Sequence, residues 1–418
     1  MKRFLTIVLF CLFTAAVPAA ENIREWTILV YAVTDSVLNE TVMADIDEME
    51  TLGSNEQIEI LMQVDRNDDN PVRYRIVKDE RPGFIASSII GYPQNSDCGS
   101  WKTLDEFVAW GLDRAPSRRV MLILHGCLGN LGYGAPIKEH YQDAFLNQQI
   151  VEAKLKMDRR KLDFEKGKEN GARYMGIRQM GFALKSIQVR LGRKIDLVCL
   201  DDSCECSIEK FFEYSGVVDF WVGSAGFLPS DNWPYDKFLR PLKTNPQVET
   251  QELARHAVDA FKEHYTPYCQ LPYGFGATLT AFNLGHTGEL MDCLKQLSAD
   301  LYQLAKNREN CIKILNLKEK VLHYLSSNEI DLKQFVDGLV RLRLSDSLPF
   351  LANCQRIAQI CEEVRLAHWA DGRYYKAANG VSMSVYNYLF GYDLQKYRLL
   401  QWDKFSRWSK FLVRLGKS

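Results

Sequence analysis

The chain has 418 residues, 46% of them hydrophobic and 25% charged, with a formal net charge of −1 at neutral pH. That is enough apolar material to bury a large core in one big domain or two ordinary ones, which excludes wholesale disorder. The near-even charge balance leaves no basic footprint for nucleic acid or for an acidic membrane surface.

The chain opens MKRFLTIVLFCLFTAAVPAAEN, with Lys2 and Arg3, an apolar run from Phe4 to Phe13, and small residues up to Ala20. This is the pattern of a secretory signal cleaved after Ala19 or Ala20, too short and wrongly flanked to span a bilayer. Cys11 follows Phe10, a poor fit to a lipid-attachment site, and is expected to leave with residues 1–20. No later run is apolar enough to cross a membrane, so the expectation is an exported, soluble protein, secreted or periplasmic. Export permits disulfides. Eleven cysteines less Cys11 leave ten, and the isolated Cys98, Cys269, Cys293, Cys311, Cys354 and Cys361 read as buried small hydrophobes or structural bridges whose pairing the sequence leaves open.

Short, nearly continuous apolar runs follow: WTILVYAV (26–33), IEILMQV (58–64), RVMLIL (119–124), IDLVCL (195–200) and VVDFWVG (217–223). Such runs suit strands covered on both faces. Between them, Leu38, Val42, Ile46 and Met49 form one helical stripe, and Leu104, Phe107, Val108 and Leu112 another, which opens on Thr103 with Glu106 three residues on as a capping box. Strands alternating with helices predict a layered α/β/α fold with a mostly parallel sheet over residues 21–248, and reactive groups beyond the carboxyl ends of its strands. Residues 129–176 read as a charged loop insertion, with a basic cluster at Lys154, Lys156, Arg159, Arg160 and Lys161, the kind of surface loop that proteases cut. From 249 to 418 the pattern is mainly helical, packed on the core, with one further strand-like run in FGATLTAFNL.

Two strands end in candidates for chemistry: RVMLIL runs into His125-Gly126, and IDLVCL into Asp201-Asp202-Ser203-Cys204. An imidazole beyond one strand and a thiol beyond its neighbour suit a thiolate nucleophile with a histidine partner, and Gly126 lets backbone N–H groups approach a developing oxyanion. The C-x-C of Cys204 and Cys206 has no second pair at zinc-ligand spacing, so no metal site is read there. A bridge from either of them to Cys127, across the cleft, is the more natural alternative. The remaining histidines, His140, His256, His264, His286, His323 and His368, lack partner spacing and read as structural.

With those motifs in hand, the chain resembles the clostripain-like cysteine peptidases, relatives of caspases, gingipains and legumains. WTILVYAVTDS with ADIDEME, QVDR, the His-Gly after RVMLIL, IDLVCLDD with SIE, GSAGFLPSDNWPYDKFL and the ANGVSMS segment fall in family order. The resemblance implies a caspase-like α/β/α sandwich with helical C-terminal additions. It implies His125 as general base, Gly126 at the oxyanion hole, and Asp201 with Asp231 as the acids that read an Arg or Lys side chain. It implies that segment 129–176 is where self-processing would occur. Calcium is used in parts of the family, but the acidic DRNDDN (65–70) fits no calcium motif, and no cofactor is identified.

The nucleophile departs from the pattern. In the ungapped register Ser203 takes the place of the nucleophilic cysteine, whereas one insertion and one deletion restore it at Cys204. Matching flanks favour the ungapped register, while a bulge at the strand end would rotate Cys204 into place. The expected function is therefore an exported endopeptidase cleaving after Arg or Lys, with a catalytically inactive relative that binds basic peptides or proteins as the alternative. Oligomeric state stays open.

Overall fold

The computed structural model describes residues 23–34, 39–66, 70–94, 97–126, 175–229, 233–271, 274–324, 328–345, 347–386 and 391–417. The expected signal, most of the 129–176 segment with its basic cluster, Cys127, part of DRNDDN and Asp231 lie outside the described residues.

Eleven strands are described: β1 (Arg24–Thr34), β2 (Ile58–Arg66), β3 (Val72–Arg75), β4 (Ile89–Gly91), β5 (Ser117–His125), β6 (Ile195–Asp201), β7 (Val218–Gly223), β8 (Ala277–Asn283), β9 (Glu329–Asp331), β10 (Arg365–Asp371) and β11 (Ser382–Ser384). Nine of them form one sheet in the order β10-β8-β7-β6-β5-β1-β2-β3-β4, and β9 pairs with β11 apart from it. The five central strands, β2-β1-β5-β6-β7, run parallel, and antiparallel strands flank them on both sides. The fold is α/β with a mixed, mostly parallel central sheet.

The apolar runs are continuous because both faces are covered. One face carries Ile28, Ile60, Met121, Ile123, Leu197 and Cys199. It packs against α1 (Asn39–Glu50) through Val42, Ile46 and Met49, and against the helix Thr250–Cys269. The opposite face packs on α2 (Trp101–Arg114), α3 (Ile177–Leu191) and α4 (Ile208–Tyr214), and the same apolar cluster continues into the C-terminal helices. Helix α2 is capped three residues before the expected Thr103: Ser100 is its N-cap and accepts from the Lys102 N–H, while the Thr103 hydroxyl donates to the Asp97 carbonyl.

β8 and β10, both from the mainly helical C-terminal stretch, complete the sheet beside β7. β10 carries no apolar run because it is an edge strand, partly exposed along its whole length. The short pair β9 and β11 underlies the loop after β6: the Ser382 N–H donates to the Cys206 carbonyl, and the Ser384 N–H to the buried carboxylate of Glu209.

Candidate active site

β5 and β6 are parallel neighbours, and their register sets His125 directly beside Asp201. Alternate residues of a strand share a face. His125 and Asp201 therefore emerge on the same side as Met121, Ile123, Leu197 and Cys199, which is the side covered by α1. That helix supplies Asp45, and one ligand-capable atom from each of Asp45, His125 and Asp201 lies within 4.8 Å of the others. All three are buried.

Asp201 is held from the far side. Its Oδ2 accepts the Tyr235 hydroxyl at 2.8 Å and the Trp233 N–H at 3.4 Å. The Tyr235 N–H donates in turn to Glu48 of α1 at 2.7 Å, so the Trp-Pro-Tyr segment ties helix and strand end together. His125 Nδ1 is 3.3 Å from Asp201 Oδ2, within ion-pair reach but without the alignment of a hydrogen bond. Burial alone would pull the imidazole down, but Asp201, Asp45 and Asp202 outweigh it and raise its pKa to about 9. Glu48 is raised to about 7 by burial and by Asp236.

The turn to Gly126 is fixed by backbone geometry. Its φ is +66°, and a Cβ there would stand 2.3 Å from the Val33 carbonyl oxygen at the end of β1. Only glycine tolerates both the left-handed conformation and that approach.

The loop after β6 turns Ser203 and Cys204 toward different partners. Cys204 adopts a left-handed conformation with φ of 64°. Its N–H donates to the Gly226 carbonyl at 3.0 Å, and the next N–H, of Glu205, to the Ser224 carbonyl at 2.6 Å. The Cys204 side chain is turned the same way, with Sγ 3.9 Å from the Gly226 carbonyl. Its thiol pKa is pushed well above the ordinary range, first by burial and then by the Glu329 carboxylate, against the opposing pull of Lys210. Ser203 is buried too, its Oγ accepting the Leu228 N–H at 2.9 Å. Neither ring nitrogen of His125 has a hydrogen-bond partner among the described residues, so neither side chain is hydrogen-bonded to it.

Beneath the loop lies a second charged group. Lys210 Nζ is 2.7 Å from Glu205 Oε1 and donates to the Cys204 carbonyl at 2.8 Å, and both side chains are almost wholly buried. Glu329 reaches the same group from β9, its pKa raised to about 7 by burial.

A model of the clostripain family matches residues 152–410, more than half of the chain. The chain belongs to the clostripain family. No match was found among curated protein sequences. The chain resembles the X-ray structure of a secreted C11 cysteine protease from Bacteroides thetaiotaomicron in complex with an irreversible peptide inhibitor, at 15% identity and a TM-score of 0.63, covering 92% of this chain and 99% of that one. It also resembles an inactive zymogen C11 protease from Parabacteroides distasonis, at 15% identity and a TM-score of 0.62, covering 92% of this chain and 98% of that one. A further structure of a secreted C11 protease from B. thetaiotaomicron is similar at 12% identity with a TM-score of 0.65, covering 92% of this chain and 99% of that one. At these identities the likeness establishes the fold, a clostripain-family cysteine protease fold.

In this clostripain-family chain the site residues named from the sequence gather as follows. His125, Gly126 and Asp201 come together at the ends of β5 and β6, and Ser203 and Cys204 follow in the adjoining loop. The left-handed turn at Cys204 is the kind of local rotation expected of a bulge, but it directs the thiol toward Gly226. All nine cysteines within the described residues are free thiols. Asp45 is a member of this buried cluster that the sequence reading misses. Its signal is an acid at i+3 from Val42 and i−4 from Met49, inside the apolar stripe of α1. His368 is structural, bonded to Thr280 Oγ1 at 2.8 Å and to the Ala378 carbonyl at 2.9 Å, with its pKa lowered to about 4 by burial.

Proposed function

We propose that this protein is an exported, non-cleaving member of the clostripain family whose cleft binds peptide or protein segments carrying basic residues. One observation carries the reading: the thiol at the expected nucleophile loop, Cys204, is buried, aimed at a backbone carbonyl and raised in pKa, with no hydrogen bond to His125. A peptidase nucleophile needs the opposite, a thiolate exposed to the substrate and favoured by a nearby cation. Ser203, at the nucleophile place in the ungapped register, lacks a hydrogen-bonded base and is a weak nucleophile without one.

The acidic groups that gather around His125, with Asp45 and Asp201 beside it and Asp202 and Glu48 on the adjoining loop and helix, support a cationic ligand, with Asp231 the further acid by resemblance. A carboxylate in a desolvated slot selects a guanidinium or ammonium by charge pairing. Export rests on the MKRFL leader and agrees with the secreted relatives.

The test is turnover of fluorogenic Arg and Lys peptides by the purified protein, with and without thiol reductant and after limited cleavage within 129–176, beside Cys204→Ala and Ser203→Ala. No turnover in any sample, together with saturable binding of an Arg- or Lys-containing peptide, is the expected outcome. Turnover in the parent protein that disappears in Cys204→Ala overturns it and restores a Cys204–His125 peptidase.

A further inference from the structure

We propose that Asp45, His125 and Asp201 form a binding site for a first-row divalent transition metal ion, with zinc the best fit. The three residues come from three elements, α1, β5 and β6, that the sheet register and helix packing hold in place. Their ligand atoms lie within 4.8 Å of one another in a buried setting.

The donor set matches this class of ion. Two carboxylates and one imidazole balance a divalent charge, and a nitrogen ligand favours zinc, manganese or iron over calcium or magnesium, which prefer all-oxygen shells.

The polar atoms left without partners point the same way. His125 is 3% exposed, yet neither ring nitrogen has a hydrogen-bond partner among the described residues, and neither has Oδ1 of the still more buried Asp201. Buried polar groups without partners are uncommon, and an absent ion is one of the standard reasons for them. Asp201 is also oriented as metal ligands usually are, by outer contacts that leave an oxygen available: Tyr235 and Trp233 both bond its Oδ2.

The inference rests on the reading that the cleft does not cleave peptides, because His125 and Asp201 are the residues a peptidase would use as base and as acid for a basic side chain. A metal held there would occupy Asp201 ahead of a basic side chain, so zinc and a basic peptide are expected to compete.

The experiment titrates chelator-treated, desalted full-length protein with zinc chloride by calorimetry, and replaces zinc by cobalt(II) to record the ligand-field spectrum and the X-ray absorption edge structure. The expected result is one equivalent bound with a nitrogen and oxygen shell. Binding should be lost in His125→Ala and Asp201→Asn and weakened about 10- to 100-fold in Tyr235→Phe, which removes only the outer contact. The absorption measurement uses the parent protein, so it decides the matter even if the substitutions in the buried site unfold the chain. Absence of a stoichiometric zinc site, sulfur in the metal shell, or undiminished binding in folded Asp201→Asn would each overturn the proposal.

Discussion

Ser203 and Cys204 are adjacent in the chain, but their side chains are engaged by different partners. The Ser203 oxygen accepts from the Leu228 N–H at 2.9 Å, whereas the Cys204 sulfur lies 3.9 Å from the Gly226 carbonyl. The left-handed backbone at Cys204 makes this divergence, at a cost of about 1 kcal/mol for a residue with a Cβ. Left-handed non-glycine residues gather at functional loops, and here the consequence is a sheltered thiol.

That shelter has a chemical readout. Iodoacetamide at neutral pH is expected to label the partly exposed Cys293 well before Cys204, which should react only once the protein is unfolded. Peptide mass spectrometry across a time course follows both sites. Cys204 labelling ahead of Cys293 in the folded protein would show a reactive nucleophile.

Lys210 and Glu205 form a buried ion pair under the same loop. Lys210→Met keeps the volume but leaves Glu205 and Glu329 without their cation, and should destabilise the fold by about 3–5 kcal/mol. The double substitution with Glu205→Gln should recover most of the loss. Urea denaturation of the four proteins of this cycle measures the coupling. A single-variant loss under about 1 kcal/mol would mean that water, not Lys210, satisfies the carboxylate.

Glu329 gives the stability a pH dependence of defined sign. Its carboxyl has a folded pKa of about 7, against an ordinary 4.5, so folding takes up a proton between those values. Its contribution to stability is intact below the unfolded pKa and declines as pH rises toward 7, then stays level. Glu329→Gln removes that decline. The variant should match the parent near pH 4 and exceed it by up to about 3 kcal/mol near pH 8. Chemical denaturation across that range tests it, and a gap that does not change with pH would count against it.

Gly126→Ala places a methyl 2.3 Å from the Val33 carbonyl oxygen in a backbone conformation that alanine avoids. The strand ends must separate or the turn must change hand, for a loss of about 2 kcal/mol or more. Thermal unfolding reads the stability, and the NMR resonances of His125 report the displacement, since it immediately precedes the altered turn.

Much of this molecule is legible along the chain because its dominant signal is local. Continuous apolar runs mark the central strands, since a strand covered on both faces has no polar side to show. Those runs alone put His125 and Asp201 at two strand ends. β3 and β10 escape the same reading, because strands toward the sheet edge are partly exposed and lose the apolar signature. What the one-dimensional order leaves open is direction. The orientation of Ser203 and Cys204 depends on a single left-handed residue and on carbonyls at Ser224 and Gly226 some twenty positions away, contacts that local periodicity does not encode. Asp45 joins the site only when α1 packs over β5 and β6, so its closeness to His125 is set by tertiary packing, whereas the identity of the strand ends is written in residue type and spacing.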